Sequence, residues 1–261
     1  MRRQKRLAVI SGIVALVFIV AAGFIRQQYL LPIAMYHSIS QSVPEGNRLI
    51  VSVKTFDRQM EFLKTHKYNV ISLEEAGDLI KNRKKAPART LVLTFDDGYK
   101  DNYTYAFPIL KKYNLPATIF IIVNEVGRPD RLSWDQMKEM QDSGLVTFGS
   151  HTLSHPFLEC VEDDQKLLEE IESSRRILQE KLASPVNTFS YPCGRLNARV
   201  RECAVNAGYK AAVATNPGKK MANDDVFALK RLRISENAAN LFVFWAETSG
   251  YYNFIRENRH K

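Results

Sequence analysis

A chain of 261 residues that is 45% hydrophobic and 25% charged has room for one large domain with a substantial core, which excludes a disordered or low-complexity protein. Its formal net charge of +9 includes a basic cluster, Lys81 to Arg89, that has no interleaved aromatic residue, so no nucleic-acid partner is expected. Three cysteines, Cys160, Cys193 and Cys203, form no CxxC pair and cannot all pair within one chain, which excludes a disulfide framework.

The first six residues carry four positive charges and lead into Leu7 to Ile25, a run broken only by Ser11, Gly12 and Gly23. Such a helix, rising about 1.5 Å per residue, is long enough to cross roughly 30 Å of hydrocarbon. Residues 1–28 are therefore expected to be a basic flank and a transmembrane anchor, giving the chain a membrane partner. A cleaved signal peptide is the alternative, because Ala21-Ala22-Gly23 offers small residues for cleavage. Positive charge before the span holds the N-terminus in the cytoplasm and exports the rest. The expected location is the cell membrane, single-pass, with residues 29–261 as the catalytic domain outside the cytoplasm. A cleaved segment would make the protein secreted instead.

Beyond residue 28, strand and helix patterns alternate. Leu30 to Tyr36 reads as a first strand. Phe56, Met60 and Leu63 then fall at helical spacing, and Tyr68 to Ile71 is extended. Ser72, three residues before Glu75, fits a capping box opening a helix that ends near Ile80. Lys81 to Arg89 is a basic loop. Thr90 to Phe95 is a strand, followed by a helix carrying Tyr103, Phe107 and Leu110, with Pro108 placed to kink it. Ala117 to Val123 is a β-branched run suited to a strand covered on both faces. The series continues with helix Ser133 to Ser143, strand Leu145 to Phe148 and one long helix, Leu167 to Leu182. Strand Val186 to Phe189, helix Asn197 to Asn206, strand Tyr209 to Ala214 and a last strand, Leu229 to Ile234, complete it. Repeated units of this length predict an α/β fold with a parallel sheet. Polar groups gather just after several strands, so a distorted (β/α) barrel with chemistry at its C-terminal rim is expected behind the transmembrane helix.

Two clusters carry the chemistry. Strand Thr90 to Phe95 runs straight into Asp96 and Asp97, neighbouring acids that repel one another unless a cation or a proton relieves them. Read alone, Asp97-Gly98 is equally an ordinary turn. After the next strand but one, His151 and His155 stand four residues apart. With Asp97 they complete two imidazoles and one carboxylate, the set of an open hydrolytic metal site. A glycosidase would need two carboxyl groups on opposite sides of a linkage, about 5 to 9 Å apart. Adjacent acids with two histidines suit metal-assisted activation of water better.

Thr94-Phe-Asp-Asp-Gly98 and Ser150-His-Thr-Leu-Ser-His155 resemble the first two motifs of the polysaccharide deacetylase family, also called carbohydrate esterase 4. The resemblance runs from about Leu31 to Ile234. It implies a distorted (β/α) barrel and a divalent metal, usually Zn2+, held by Asp97, His151 and His155, with Asp96 as general base. Phe189-Ser-Tyr-Pro-Cys-Gly194 resembles a third motif. There the backbone N–H of Cys193 would hold the oxyanion, while the family's base-orienting arginine falls on Ser190, with Arg231 the candidate replacement. Relatives often place the general acid on a late histidine, yet none stands between His155 and His260. The strand ending at His37 instead resembles the subgroup acting on poly-β-1,6-N-acetylglucosamine, which makes His37 the expected acid. Tyr99, Tyr103, Trp134 and Tyr191 are candidates to flank a sugar groove, with core packing at least as good a reading for Trp134 at its helix start and loop shaping an equal one for Tyr191-Pro192.

The function implied is metal-dependent removal of N-acetyl groups from an extracellular or cell-envelope N-acetylglucosamine polysaccharide. The alternatives are a non-catalytic envelope carbohydrate-binding protein, prompted by Ser190 and the missing late histidine, and a peptidoglycan or O-acetyl deacetylase. No obligate protein partner is expected.

Overall fold

The computed structural model describes residues 29–215 and 225–252, with five isolated positions nearer the N-terminus. Its strands are β1 (Ile33–Tyr36), β2 (Ser38–Ser40), β3 (Ile50–Ser52), β4 (Asn69–Ile71), β5 (Thr90–Phe95), β6 (Ala117–Ile121), β7 (Val146–Ser150), β8 (Thr188–Ser190), β9 (Ala211–Ala214), β10 (Leu229–Lys230) and β11 (Leu232–Arg233). The α-helices are α1 (Val53–Thr65), α2 (Leu73–Lys81), α3 (Phe107–Tyr113), α4 (Trp134–Asp142), α5 (Asp164–Leu168), α6 (Ser174–Leu182), α7 (Ala198–Asn206) and α8 (Leu241–Thr248).

Nine strands form one parallel sheet in the order β10-β9-β8-β7-β6-β5-β1-β11, with β4 also paired to β5. The two ends of that order are consecutive in the chain. One strand was expected over Leu229 to Ile234, but Arg231 divides it. Leu229 and Lys230 pair with β9, whereas Leu232 and Arg233 pair with β1. The segment thus bridges the first and last strands and nearly closes a distorted β/α barrel.

Side chains alternate across each strand, and this sorts the core into two layers. Ile33, Val92, Phe120, Ala211, Val213 and Leu229 fill the lower barrel interior. Outward residues such as Tyr36, Leu93, Phe95, Ile119 and Phe148 pack under the helices with Phe56, Met60 and Leu110. Each such large side chain contributes about 1.5–3 kcal/mol by leaving water. Gly149 lies on the inner face of β7, where a Cβ would come 2.5 Å from the Phe120 ring and 2.6 Å from Thr188 Oγ1. Only glycine lets Phe120 occupy the barrel there.

Two helices depart from their expected form. The kink expected at Pro108 is instead a π-turn, Asn102–Ala106, ahead of α3, in which the Phe107 N–H donates to Asn102 O. Proline has no N–H to offer the carbonyl four residues back and crowds it, so the preceding turn is wider. The long helix expected over Leu167 to Leu182 is interrupted by a second π-turn, Glu169–Ser173.

The membrane expectation is corrected. No helix among the described residues is long and apolar enough to cross a membrane, which takes about 20 consecutive apolar helical residues. Leu7 to Ile25, on which the anchor was read, lies outside the described residues except for isolated positions. The transmembrane helix, the membrane partner and the single-pass location are therefore not carried forward.

Candidate active site

The polar end of the barrel interior begins where the apolar floor stops. Val92, Thr94 and Asp96 share one face of β5 and its extension, and Asp96 is 3% exposed. Across the barrel, Arg231 holds it in a fork: Nη1 donates to Asp96 Oδ1 and Nη2 to Asp96 Oδ2, both at 2.6 Å. Nη2 also donates to Ser190 Oγ at 2.9 Å, and the guanidinium lies over the Phe120 ring, 5.6 Å from its centroid. A bidentate pair of this kind fixes direction as well as charge. Burial would push the Asp96 carboxyl up, but the Arg231 charge, His151 and the Arg231 hydrogen bonds outweigh it and hold Asp96 well below the usual carboxylate range. Asp96 is therefore ionised throughout the neutral range.

Asp97 turns the other way. Its backbone is left-handed, φ +70°, a conformation aspartate tolerates better than most residues. The turn takes its carboxylate out of the strand plane toward the loop after β7. Asp97 Oδ1 lies 3.6 Å from His151 Nε2 and 3.9 Å from His155 Nε2. One ligand atom from each of the three residues lies within 4.8 Å of the others. His151 is 2% exposed, and its Nδ1 donates to Ser190 O at 2.7 Å. A carbonyl only accepts, so Nδ1 is the donor of this bond and Nε2 is the ring nitrogen that faces the cluster. Burial, reinforced by His151, lowers the His155 pKa, which favours its neutral imidazole. Donors at 2.0–2.2 Å around a tetrahedral ion stand roughly 3.3–3.6 Å apart. The cluster is slightly wider than that, at 3.6 and 3.9 Å from Asp97 Oδ1 to the two imidazoles, and closes on a divalent cation with a small inward shift of its side chains.

His37 follows β1 on the same rim. Burial lowers its imidazole pKa, while Asp96 and Asp97 act in the opposite direction. Its backbone carbonyl accepts from Asn102 Nδ2 at 2.8 Å, so the first π-turn braces the loop that carries it. Cys193 is exposed on the short turn Pro192–Gly194 with a left-handed backbone, φ +55°.

The groove expectations are partly corrected. Tyr191 is fully buried, with its hydroxyl donating to Phe227 O at 2.9 Å, because it points to the outer layer with Phe189. Trp134 and Tyr103 pack half-buried against that same layer. Tyr99 stays near the rim, half-buried, with the Arg131 guanidinium 4.2 Å from its ring centroid. Ser190 was read from the sequence only as a missing charge. The structure gives it two contacts, its hydroxyl on Arg231 and its carbonyl on His151. No local signal in the sequence marked either one.

Comparison with known proteins agrees with this geometry. The family model for polysaccharide deacetylase matches residues 83–212, a stretch holding Asp96, Asp97, His151, His155 and Cys193 but not His37 or Arg231. A putative polysaccharide deacetylase of Bacillus subtilis, YxkH, is 37% identical over 205 residues, covering 78% of this chain and 71% of the relative. The poly-beta-1,6-N-acetyl-D-glucosamine N-deacetylase of Staphylococcus aureus is 29% identical over 202 residues, covering 72% of this chain and 69% of the relative. Among solved structures, the Streptococcus pyogenes deacetylase PplD in complex with acetate superposes with a TM-score of 0.75 at 34% identity, covering 82% of this chain and 96% of that one. A barrel rim carrying an Asp-His-His cluster beside a buried, arginine-clamped carboxylate, together with these likenesses, assigns the chain: it belongs to the polysaccharide deacetylase family and is a metal-dependent hydrolase of the acetamide C–N bond in an N-acetylated polysaccharide.

Proposed function

We propose that the protein deacetylates an N-acetylglucosamine polymer, with Zn2+ held by Asp97, His151 and His155. The bound ion would supply Lewis acidity toward the acetamide carbonyl and acidify a water. Asp96, ionised and fixed by Arg231, faces the same cluster without belonging to it and accepts the proton of the attacking water. Arg231 is the base-orienting residue, standing in for the arginine that Ser190 replaces. The backbone N–H at Cys193 is the donor assigned to the developing oxyanion. His37 carries the proton to the departing amine.

The observation that carries this reading is the opposed orientation of two adjacent carboxylates, Asp96 clamped by Arg231 and Asp97 turned toward two imidazoles. A sugar joined through β-1,6 linkages is the favoured substrate, on the likeness to the Staphylococcus aureus N-deacetylase and on the early placement of His37. The test is acetate release from β-1,6- and β-1,4-linked N-acetylglucosamine oligomers by zinc-loaded protein. Turnover should favour the β-1,6 series and vanish in Asp96→Asn. Release from neither series by the loaded wild type would overturn the substrate assignment. His37→Ala should lower kcat about 10²- to 10⁴-fold at unchanged zinc affinity, and full turnover in that variant would remove His37 from the mechanism.

A further inference from the structure

The loop that carries both histidines is held from outside by a side chain that the proposed mechanism does not use. Glu170 stands in the second π-turn, Glu169–Ser173. Its Oε2 accepts from the backbone N–H groups of Leu153 at 3.0 Å and Ser154 at 2.9 Å, and its Oε1 accepts from Ser154 Oγ at 2.5 Å. One carboxylate thus takes three donors from the middle of the Ser150–His155 turn.

That turn is a strained one. Thr152 and His155 are both left-handed, φ +69° and +60°, and neither is a glycine. Residues held in this conformation without being glycine are strained and persist only where their surroundings over-determine them. The rest of the restraint is visible on the inner side. Val123 N–H donates to Thr152 O and Asn124 N–H to Leu153 O, while His155 N–H donates to Thr152 Oγ1 at 2.9 Å. On the outer side, Glu170 accepts from both central N–H groups.

The π-turn accounts for how Glu170 reaches this place. The same wide turn leaves the Ile171 carbonyl to accept from Tyr209 Oη and Ser174 Oγ, at 2.9 and 3.0 Å, and Ser174 Oγ meets Ser150 Oγ at 2.7 Å. The turn is therefore pinned to the strand end from which the histidine loop departs. His155 is the less restrained of the two imidazoles: His151 Nδ1 donates to Ser190 O, whereas the His155 ring meets the edge of His151, centroids 4.6 Å apart, and approaches Asp97 Oδ1 only to 3.9 Å.

We infer that Glu170 is a positioning residue for the divalent cation: by gripping the Leu153–Ser154 backbone, it holds the left-handed turn that aims His155 at Asp97 and so sets the affinity of the site. The inference rests on the metal reading above and adds a residue to it. Glu170 would touch neither the ion nor the substrate.

The test is zinc affinity in the full chain after chelator treatment, read by competition with a chromogenic chelator, with the melting temperature of the metal-free protein measured alongside. Glu170→Ala should raise the zinc Kd about 10- to 100-fold, the range for groups that orient metal ligands, while the metal-free melting temperature moves little. Glu170→Gln keeps an oxygen for the backbone donors but lacks the charge, and should raise Kd only about threefold. Wild-type affinity in Glu170→Ala overturns the inference. Should that variant fail to fold, wild-type affinity in Glu170→Gln overturns it equally. A metal-free melting temperature that falls in step with affinity reduces Glu170 to an ordinary structural cap. Wild-type protein that takes up no zinc overturns the metal reading, and this inference with it.

Discussion

Asp96 and Arg231 depend on each other because both are buried. A carboxylate removed from water and left alone is one of the costliest arrangements a core can hold. Arg231→Ala should therefore destabilise the fold by about 3–5 kcal/mol, measured by denaturant unfolding, and abolish acetate release. Arg231→Lys keeps the charge but offers a point where the fork offered two parallel donors. It should stay closer to wild-type stability and lose about 10- to 100-fold in kcat. Equal stability losses in the two variants would mean that the forked geometry, and not the positive charge alone, holds this pair together. The metal cluster was legible in the sequence because its three residues sit in two short motifs directly after strands. Arg231 was reached only through resemblance, since it meets its partner 135 residues away and nothing local distinguishes it from Arg233. The contacts of Ser190 were not legible, because a serine's value there lies in a hydroxyl and a carbonyl facing partners on other strands.

At the scale of elements, the strands were readable where β-branched residues run together, and most helices were readable from apolar spacing. The two π-turns were not, because one extra residue in a turn shifts the apolar face too little to disturb the pattern. The split of Leu229 to Ile234 was equally hidden, since pairing partners are not encoded in local periodicity. Gly149 on β7 offers a direct test of the packing beneath the site. Gly149→Ala should cost at least about 1–3 kcal/mol by driving a methyl into Phe120 and Thr188, with a smaller loss in a Gly149→Ala, Phe120→Leu double variant. On α8, Glu247 has a buried Oε2 without a hydrogen-bond partner, and burial raises its pKa to about 7. Its folded-state pKa lies above the unfolded value, so the neutral acid is tolerated at low pH, and stability is lost as pH rises from about 4.5 through about 7. Glu247→Gln should therefore match wild type near pH 4 and exceed it by on the order of 2 kcal/mol at pH 8. Parallel stability profiles for the two proteins would show that Glu247 finds a countercharge in solution.

For the whole molecule, fold and cation are separable. The barrel has a continuous apolar floor below the polar rim, so stripping metal should abolish activity and leave the far-ultraviolet spectrum unchanged. Zinc restored at a thousandfold over its Kd should add about 4 kcal/mol and raise Tm by about 10 °C. A spectrum that collapses on chelation would mean that the ion builds the barrel as well as the site. The membrane anchor was the one large-scale expectation to be set aside, because a basic flank with an apolar run is a statement about composition and the described helices do not extend it.

The short stretch from Leu229 to Arg233 has a bearing on timing. A ribosome must deliver the chain past Arg233 before β1 can find β11 as its second neighbour, and the same five residues bring the guanidinium that pairs with Asp96. Until then a nascent chain holds the histidine loop and both aspartates but has no clamp on Asp96. Enclosure and competence are completed together, so a product cut short anywhere before Leu229 would be inert as a hydrolase, however much of its helical shell had already formed.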